Sequence, residues 1–93
     1  MNKNEARSIL EEELLRYRKL PHADLLYLLD NQDTFERASP SGAIYQLEIQ
    51  AFWDRESKRE LRVRGCIDDG GWRALSPLCQ DFIMRPDGSF VGE

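Results

Sequence analysis

The 93-residue sequence predicts an α+β domain, in which two N-terminal helices pack on one face of an antiparallel meander sheet of three or four strands. Residues 4–31 carry apolar side chains at helical spacing, whereas apolar and polar side chains alternate along much of residues 43–92. Clusters of Asp, Gly and Pro separate the alternating runs, as they do in hairpin turns. Each half has an apolar face that only the other half can cover, so residues 1–93 are expected to form a single domain.

The first helix is predicted to start at Asn4, which can cap it, and to end before Pro21, which lacks the N–H that a continuing helix needs. Its apolar stripe consists of Ala6, Ile9, Leu10, Leu14 and Tyr17. The run from Glu11 to Glu13 is predicted to be a solvated face, with Glu12 placed to pair with Arg16 one turn later. The helix is therefore expected to be amphipathic.

Pro21 suits the first position of a second helix, which is expected to run to Asn31. Its wide leucine stripe predicts that this helix is the more buried of the two. Residues 25–29 also contain an LxxLL string, which on an exposed helix can dock into a partner's groove. Burial is the stronger interpretation in a short chain that needs every leucine for its core. Residues 32–42 have the composition of a loop, with room for a short helical turn from Thr34 to Arg37.

Two strands are predicted where apolar residues occupy every second position, one along residues 45–53 and the next along residues 61–68. The polar segment between them is short enough for an antiparallel hairpin. The register follows because a slip by one residue would expose every apolar side chain. It places these pairs opposite each other: Trp53 and Leu61, Ala51 and Val63, Ile49 and Gly65, Leu47 and Ile67, Phe52 and Arg62, Gln50 and Arg64.

A tight turn at residues 68–71 is predicted to lead into a third strand from Trp72 to Leu75, with Trp72 opposite Ile67 and Ala74 opposite Gly65. A further run at residues 82–84 and a turn at residues 85–89 precede a short final strand at residues 90–91. This order of elements resembles the cystatin-like arrangement of many unrelated small proteins. The resemblance concerns topology alone and implies no active site.

Composition narrows the classes of partner. The formal net charge of −4 argues against nucleic acid or an anionic membrane as a partner. No stretch is long enough to span a bilayer, and residues 1–5 lack the apolar core of a signal peptide. The predicted register places Cys66 near Arg73 and away from Cys79, so reduced thiols and a cytoplasmic location are expected.

The sequence predicts no catalytic residue, no metal site and no cofactor. His22 is the single histidine, and it stands at a helix start, where capping or exposure is the ordinary role. The two cysteines are 13 positions apart and cannot fill a tetrahedral zinc site, even with His22. Asp68 and Asp69 could act as an acid and base pair or bind a cation with Asp81, but the glycines that follow favour a turn.

Two candidate sites follow from the predicted sheet. The first is its outer face, which is expected to bind a protein partner or a second copy of the chain through Phe52, Arg62, Arg64 and Leu75. The alternative is a pocket between helices and sheet beside Trp72, in which a small molecule or a substrate would meet Tyr45, Asp69, Trp72 and Arg73. The first interpretation makes the chain a non-enzymatic interaction or accessory domain. The second makes it a small-molecule binding protein or an enzyme.

Overall fold

A computed structural model describes residues 1–54, 59–71 and 76–93. The elements in chain order are helix α1 (Lys3–Arg18), helix α2 (His22–Leu25), a 3-10 helix (Leu26–Leu29), and strands β1 (Asp33–Ala38), β2 (Ile44–Trp53), β3 (Leu61–Asp68) and β4 (Leu78–Met84). The four strands form one sheet in the order β1-β2-β3-β4, and each neighbouring pair is antiparallel. The helical region and the meander sheet confirm the predicted α+β class.

Helix α1 supplies most of the helical contribution to the core. Its N-cap is Asn2, whose Oδ1 accepts a hydrogen bond from the backbone N of Glu5 at 3.1 Å, so the helix starts before the predicted cap at Asn4. The predicted apolar stripe is buried: Ala6, Ile9, Leu10, Leu14 and Tyr17. The predicted solvated face is wrong at Glu13, which is buried and bound by Arg16 and by Arg37. Glu12 pairs with Arg37 at 2.9 Å, whereas Arg16 pairs with Glu13.

The second helical segment is shorter and less buried than predicted. Four residues of α2 lead directly into the 3-10 helix, and Leu25 and Leu28 are the fully buried side chains of the two. In a 3-10 helix, side chains three positions apart align, so this spacing turns both leucines toward the core. The 3-10 helix ends at Leu29, before the predicted end at Asn31, and strand β1 begins at Asp33. The prediction that this is the more buried helix is wrong, because α1 carries the larger buried face.

Strand β1 replaces the predicted loop and helical turn. Phe35 lies opposite Leu47, and the side chains of Asp33, Phe35 and Arg37 are half-buried while those between them are exposed. Polar residues of low strand propensity form this strand because β2 provides the hydrogen-bonding partner, and tertiary pairing overrides a weak local preference. The turn to β2 is closed by hydrogen bonds from Ser39 N to Ala43 O at 2.8 Å and from Gly42 N to Ser39 O at 3.0 Å. Gly42 has a φ of +90°, which side chains other than glycine adopt rarely.

The predicted register of β2 and β3 is confirmed at all six pairs, including Phe52 opposite Arg62 and Gln50 opposite Arg64. Gly65 marks the closest approach of α1 to this hairpin. A Cβ atom at Gly65 would lie 2.9 Å from Cδ1 of both Ile49 and Leu10, and 3.0 Å from Cδ2 of Leu14. The glycine therefore lets the helix pack directly against the strand backbone.

Strand β4 corrects the predicted third strand. Leu78 lies opposite Ile67 and Gln80 lies opposite Gly65, in the places expected for Trp72 and Ala74. The predicted strand from Trp72 to Leu75 itself lies outside the described residues. The predicted final pairing is present as a single bridge between Met84 and Phe90, with a hydrogen bond from Val91 N to Ile83 O at 2.9 Å.

The two cysteines form a disulfide, so the prediction of reduced thiols is wrong. Cys66 lies directly opposite Cys79 in the β3–β4 ladder, with the two Cα atoms 4.1 Å apart. The error arose from the register, because the strand paired with β3 begins at Leu78 and brings Cys79 to the position expected for Arg73. Among the described residues, no helix combines the length and the apolar character that crossing a membrane would require.

Candidate functional site

The outer face of the sheet carries three of the four residues predicted for protein binding. Every second side chain of β2 and β3 points to the outer face, because the side chains between them are buried beneath the helices. The buried side chains are those of Leu47, Ile49, Ala51, Leu61, Val63 and Ile67. Strand β4 adds Asp81 opposite Arg64 and Ile83 opposite Arg62. We call Phe52, Arg62, Arg64, Asp81 and Ile83 the outer-sheet patch. Leu75, the fourth predicted residue, lies outside the described part of the chain.

Arg64 and Phe52 form a cation–π pair within the outer-sheet patch. The Cζ atom of Arg64 lies 4.8 Å from the centroid of the Phe52 ring, and Phe52 is 37% exposed. Such a contact contributes about 0.5–1 kcal/mol at an exposed site. The Arg64 Nε is buried and has no hydrogen-bond partner among the residues that the structure describes. The aromatic ring therefore fixes the guanidinium in place while leaving its charge without a carboxylate in those residues.

Arg62 is bound by two carboxylates, in contrast to Arg64. Its Nε and Nη2 donate to Oδ1 of Asp54 at 3.1 and 2.8 Å, and its Nη1 donates to Oδ2 of Asp81 at 2.7 Å. The hydrogen bonds to Asp81 and Asp54 raise the pKa of the Arg62 guanidinium above its ordinary value. Arg62 consequently ties the end of β2 to β4, whereas Arg64 forms no ion pair within the described residues.

A shallow depression adjoins the outer-sheet patch at Phe52. It has a volume of about 260 Å³. One side is formed by the 3-10 helix and the segment that follows it, and the other side by the end of β2. The β1–β2 ladder ends where Asp33 faces Ile49, so the backbone of residues 50–53 has no β1 partner on that side. The lining residues are Leu28, Leu29, Asp30, Asn31, Gln32, Gln50, Ala51 and Phe52. A side chain from a partner could enter beside the Phe52 ring.

The second predicted site is represented by two described residues, Tyr45 and Asp69. Tyr45 is a core residue, and its hydroxyl donates a hydrogen bond of 2.8 Å to Oε1 of Glu5. Burial, followed by the Glu5 hydrogen bond and the charges of Glu5 and Asp69, raises the pKa of Tyr45 to about 12. Asp69 Oδ1 accepts the backbone N–H of Gly71 at 3.1 Å, and this bond lowers the pKa of Asp69. Trp72 and Arg73 lie outside the described residues, so a pocket beside Trp72 stays a prediction.

A cavity that the sequence did not predict lies where α1, the 3-10 helix and β1 meet. It has a volume of about 210 Å³ and is lined by Arg16, Tyr17, Leu20, Tyr27 and Asp33, and we call it the tyrosine cavity. The hydroxyls of Tyr17 and Tyr27 both donate to Oδ2 of Asp33, at 2.7 and 2.6 Å. Because strand β1 was not predicted, no pattern in the sequence indicated that Asp33 lies close to the two tyrosines.

The environment of the tyrosine cavity keeps both phenols protonated. Burial raises the pKa of Tyr27 to about 12, with further contributions from its hydrogen bond to Asp33 and from the negative charge of Asp33. Burial, the hydrogen bond to Asp33 and the charge of Asp33 also raise the pKa of Tyr17, and the charge of Tyr27 raises it further. The positive charge of Arg16 opposes part of the rise at each phenol. Both hydroxyls therefore keep their protons, and their hydrogen bonds to Asp33, to a higher pH than an exposed tyrosine would.

The described residues offer little for metal or acid–base chemistry. No group of three or more His, Cys, Asp or Glu side chains among them is placed to hold a metal ion. The His22 Nε2 lies 3.0 Å from the carbonyl oxygen of Arg59, and its ring lies 6.2 Å from the Trp53 ring. These contacts attach the start of α2 to the β2–β3 hairpin, which is a structural role.

Within the described residues, the outer-sheet patch presents an aromatic ring and an arginine on one sheet face, and the tyrosine cavity is lined by opposite charges and two phenols. Comparisons with models of protein families, with curated proteins and with solved structures found no match to this chain.

Proposed function

We propose that this chain is a non-enzymatic protein-interaction domain whose outer sheet face binds another protein, and that a second copy of the chain is the first partner to test. The observation that carries the proposal is the pair of the exposed Phe52 and the half-buried Arg64 on the face opposite α1. Aromatic residues and arginine are enriched in protein interfaces, whereas lysine is depleted. The four described strands contain no lysine.

The outer-sheet patch is suited to binding because its side chains are already held in place. Arg62 is fixed by Asp54 and Asp81, and Arg64 lies against the ring of Phe52. Side chains that are ordered before association lose less conformational entropy when a partner binds. The expected partner surface therefore offers an apolar side chain for Phe52 and, next to it, a carboxylate for Arg64.

A second copy of the chain carries both groups. Glu48 is exposed on the same face, opposite Cys66, and Ile83 belongs to the patch itself. In a twofold symmetric contact each surface meets itself, so Arg64 of one copy can approach the carboxylate of Glu48 in the other. A cytoplasmic location remains part of the proposal, but the Cys66–Cys79 disulfide argues against it, because disulfides persist in oxidising compartments and are rare in the cytosol.

The experiment is the solution mass measured by light scattering after size exclusion, over a wide range of protein concentration. We expect a dimer that the Phe52→Ala/Arg64→Ala variant weakens by roughly tenfold or more, as expected for anchor residues of an interface. Ile44→Ala is the matched control, because Ile44 is 55% exposed on the same strand but eight positions away. At the rise of a strand this separates the two side chains by roughly 27 Å.

Three outcomes bear on the proposal. Loss of the dimer in the double variant and its retention in Ile44→Ala supports the outer-sheet patch as the interface. Equal weakening by both changes would show that the contact is not centred on the outer-sheet patch, because Ile44 lies on the same face at the other end of β2. A monomer at every concentration would exclude a second copy of the chain as the partner. A photoreactive residue in place of Phe52 would then test for crosslinking to a different protein partner, with a photoreactive residue at position 44 as the control.

A further inference from the structure

Two opposite charges face the tyrosine cavity without pairing with each other. Arg16 and Asp33 both line it, and no ion pair joins them within the described residues. Each is held by other groups of the protein, Asp33 by the two tyrosine hydroxyls of the lining and Arg16 by Glu13. A cavity with a cation on one wall and an anion on another is complementary to a ligand that carries both charges.

Asp33 is oriented by the protein but keeps capacity to bind. Both tyrosine hydroxyls donate to its Oδ2, and Oδ1 accepts no hydrogen bond among the described residues. An ionised carboxylate offers about four lone-pair positions on its two oxygens, so two phenols do not saturate it. The free oxygen is suited to an ammonium group, since a charge-assisted hydrogen bond is roughly twice as strong as a neutral one.

Arg16 is anchored in a comparable way. Its Nη1 donates to Oε2 of Glu13, and Glu13 is itself held by Arg37, whose Nη1 donates to Oε1 at 2.9 Å. The Glu13 side chain is 8% exposed, so the anchor is buried, whereas the Arg16 side chain is 68% exposed. A guanidinium has five N–H donors, and those of Arg16 beyond Nη1 make no hydrogen bond in the described part of the chain. They remain free to bind a carboxylate.

We propose that the tyrosine cavity binds a small zwitterion of the α-amino-acid type, with its ammonium group on Asp33 and its carboxylate on Arg16. The rings of Tyr17 and Tyr27 and the side chain of Leu20 form the apolar part of the lining. Aromatic faces also favour an ammonium group that lies close to them. The volume of about 210 Å³ is below the range of roughly 300–1,000 Å³ for drug-sized ligands, which selects a ligand with a short side chain.

The test uses three matched probes, namely L-norvaline, butylamine and pentanoate. Butylamine is norvaline without its carboxylate, and pentanoate is norvaline without its ammonium group. Isothermal titration and the side-chain NMR signals of Arg16 and the two tyrosines report binding. We expect saturable binding of norvaline that is at least roughly tenfold tighter than binding of either analogue, because each analogue lacks one charged hydrogen bond.

Variants assign the two charges. Arg16→Gln is expected to reduce norvaline binding at least tenfold and to make norvaline and butylamine equivalent, because the carboxylate loses its cation. Arg37 still binds the buried Glu13 in this variant, and thermal unfolding checks that it is folded. Asp33→Asn keeps the size of the side chain and is expected to abolish binding, with thermal unfolding as the check that the variant is folded. Arg7→Gln is the control on the exposed surface of α1. Equal affinity for norvaline and butylamine in the unchanged protein, or no saturable binding of norvaline, would overturn the proposal.

Discussion

Cys66 and Cys79 face each other across β3 and β4, with their Cα atoms 4.1 Å apart, and the disulfide lies on the same face as Arg64 and Asp81. The Cys66–Arg64 spacing of two positions puts the bond next to the outer-sheet patch. The disulfide encloses the connection between β3 and β4. Its effect on the fold and its effect on the patch can be measured separately.

Reduction of the disulfide is expected to destabilise the protein. The two cysteines are 13 positions apart, and closing a loop of about 15 residues contributes roughly 3 kcal/mol through the unfolded state. Urea unfolding with and without reductant should show this difference in the free energy of unfolding. The Cys66→Ser/Cys79→Ser variant should match the reduced protein and should not respond to reductant. Equal stability of the oxidised and reduced protein would contradict the expectation.

Gly65→Ala is expected to lower the free energy of unfolding by about 1–3 kcal/mol, because an added methyl group overpacks a filled core. The new Cβ would lie 2.9 Å from Cδ1 of Ile49 and of Leu10, so these side chains, or α1 itself, would have to shift. Chemical denaturation measures the change. Gly71→Ala is the control, since its Cβ would meet nothing closer than Asp69 Oδ1 at 3.4 Å. A similar small effect in both variants would show that the helix adjusts without cost.

Glu13→Gln is expected to destabilise the protein by about 1–3 kcal/mol, because it leaves two arginines with a weaker partner at a buried position. Glu13 is bound by Arg16 and Arg37, and this links α1 to β1. Glu12→Gln is the matched control one position away, since Glu12 is 64% exposed and its pair with Arg37 is expected to contribute about 0–1 kcal/mol. Thermal unfolding of both variants at low and high salt distinguishes the two contributions.

Stability is expected to fall as the pH rises from about 10 to 12. The chain has three tyrosines, and the pKa of Tyr27 and of Tyr45 is raised by burial and hydrogen bonding to about 12, from an ordinary value of 10.0. Between these values the folded state holds protons that the unfolded state has released, so the free energy of unfolding decreases with pH. The near-ultraviolet absorbance of tyrosinate should therefore appear together with unfolding.

Tyr27→Phe tests the origin of this pH dependence. The variant retains the ring, which is 43% exposed, and loses one of the two phenols that donate to Asp33. The decrease in stability above pH 10 should become less steep than in the unchanged protein, because one proton-linked group has been removed. Tyrosinate formation near pH 10 in the folded protein, well before unfolding, would show that the hydroxyls are not held as described.

The strands that could be predicted are those whose own sequence alternates between apolar and polar residues. Alternation along β2 and β3 determined both strands and their register, since burying one face leaves a single pairing. Strand β1 has only Phe35 as a strongly apolar residue, and its conformation depends on β2 as a partner. The position of Cys79 was predicted wrongly because residues 72–75 were predicted to form the strand that pairs with β3. The strand that pairs with β3 begins later, at Leu78, so Cys79 lies opposite Cys66.

The candidate sites, too, could be predicted only where their residues lie on strands with a clear alternation. Phe52, Arg62 and Arg64 were placed on one face by alternation alone, and the structure brings them together. Tyr17, Tyr27 and Asp33 come from three elements whose contact depends on the path of the chain, and no local pattern indicates it. The alternation along β2 did predict that Tyr45 points inward. Its hydrogen bond to Glu5 could not be predicted, because it depends on how α1 packs on the sheet.

The meander order of the sheet has a kinetic consequence. Every strand pairing in the described sheet joins neighbours in the chain, so each pairing closes a short loop and costs little conformational entropy. Sheets with such local pairing fold faster than those whose strands meet from distant parts of a sequence. Helix α1 reaches the far end of the chain, where Arg18 lies 4.8 Å from the Phe90 ring centroid. The rate-limiting step of folding is therefore expected to be the docking of α1 onto a sheet that assembles hairpin by hairpin.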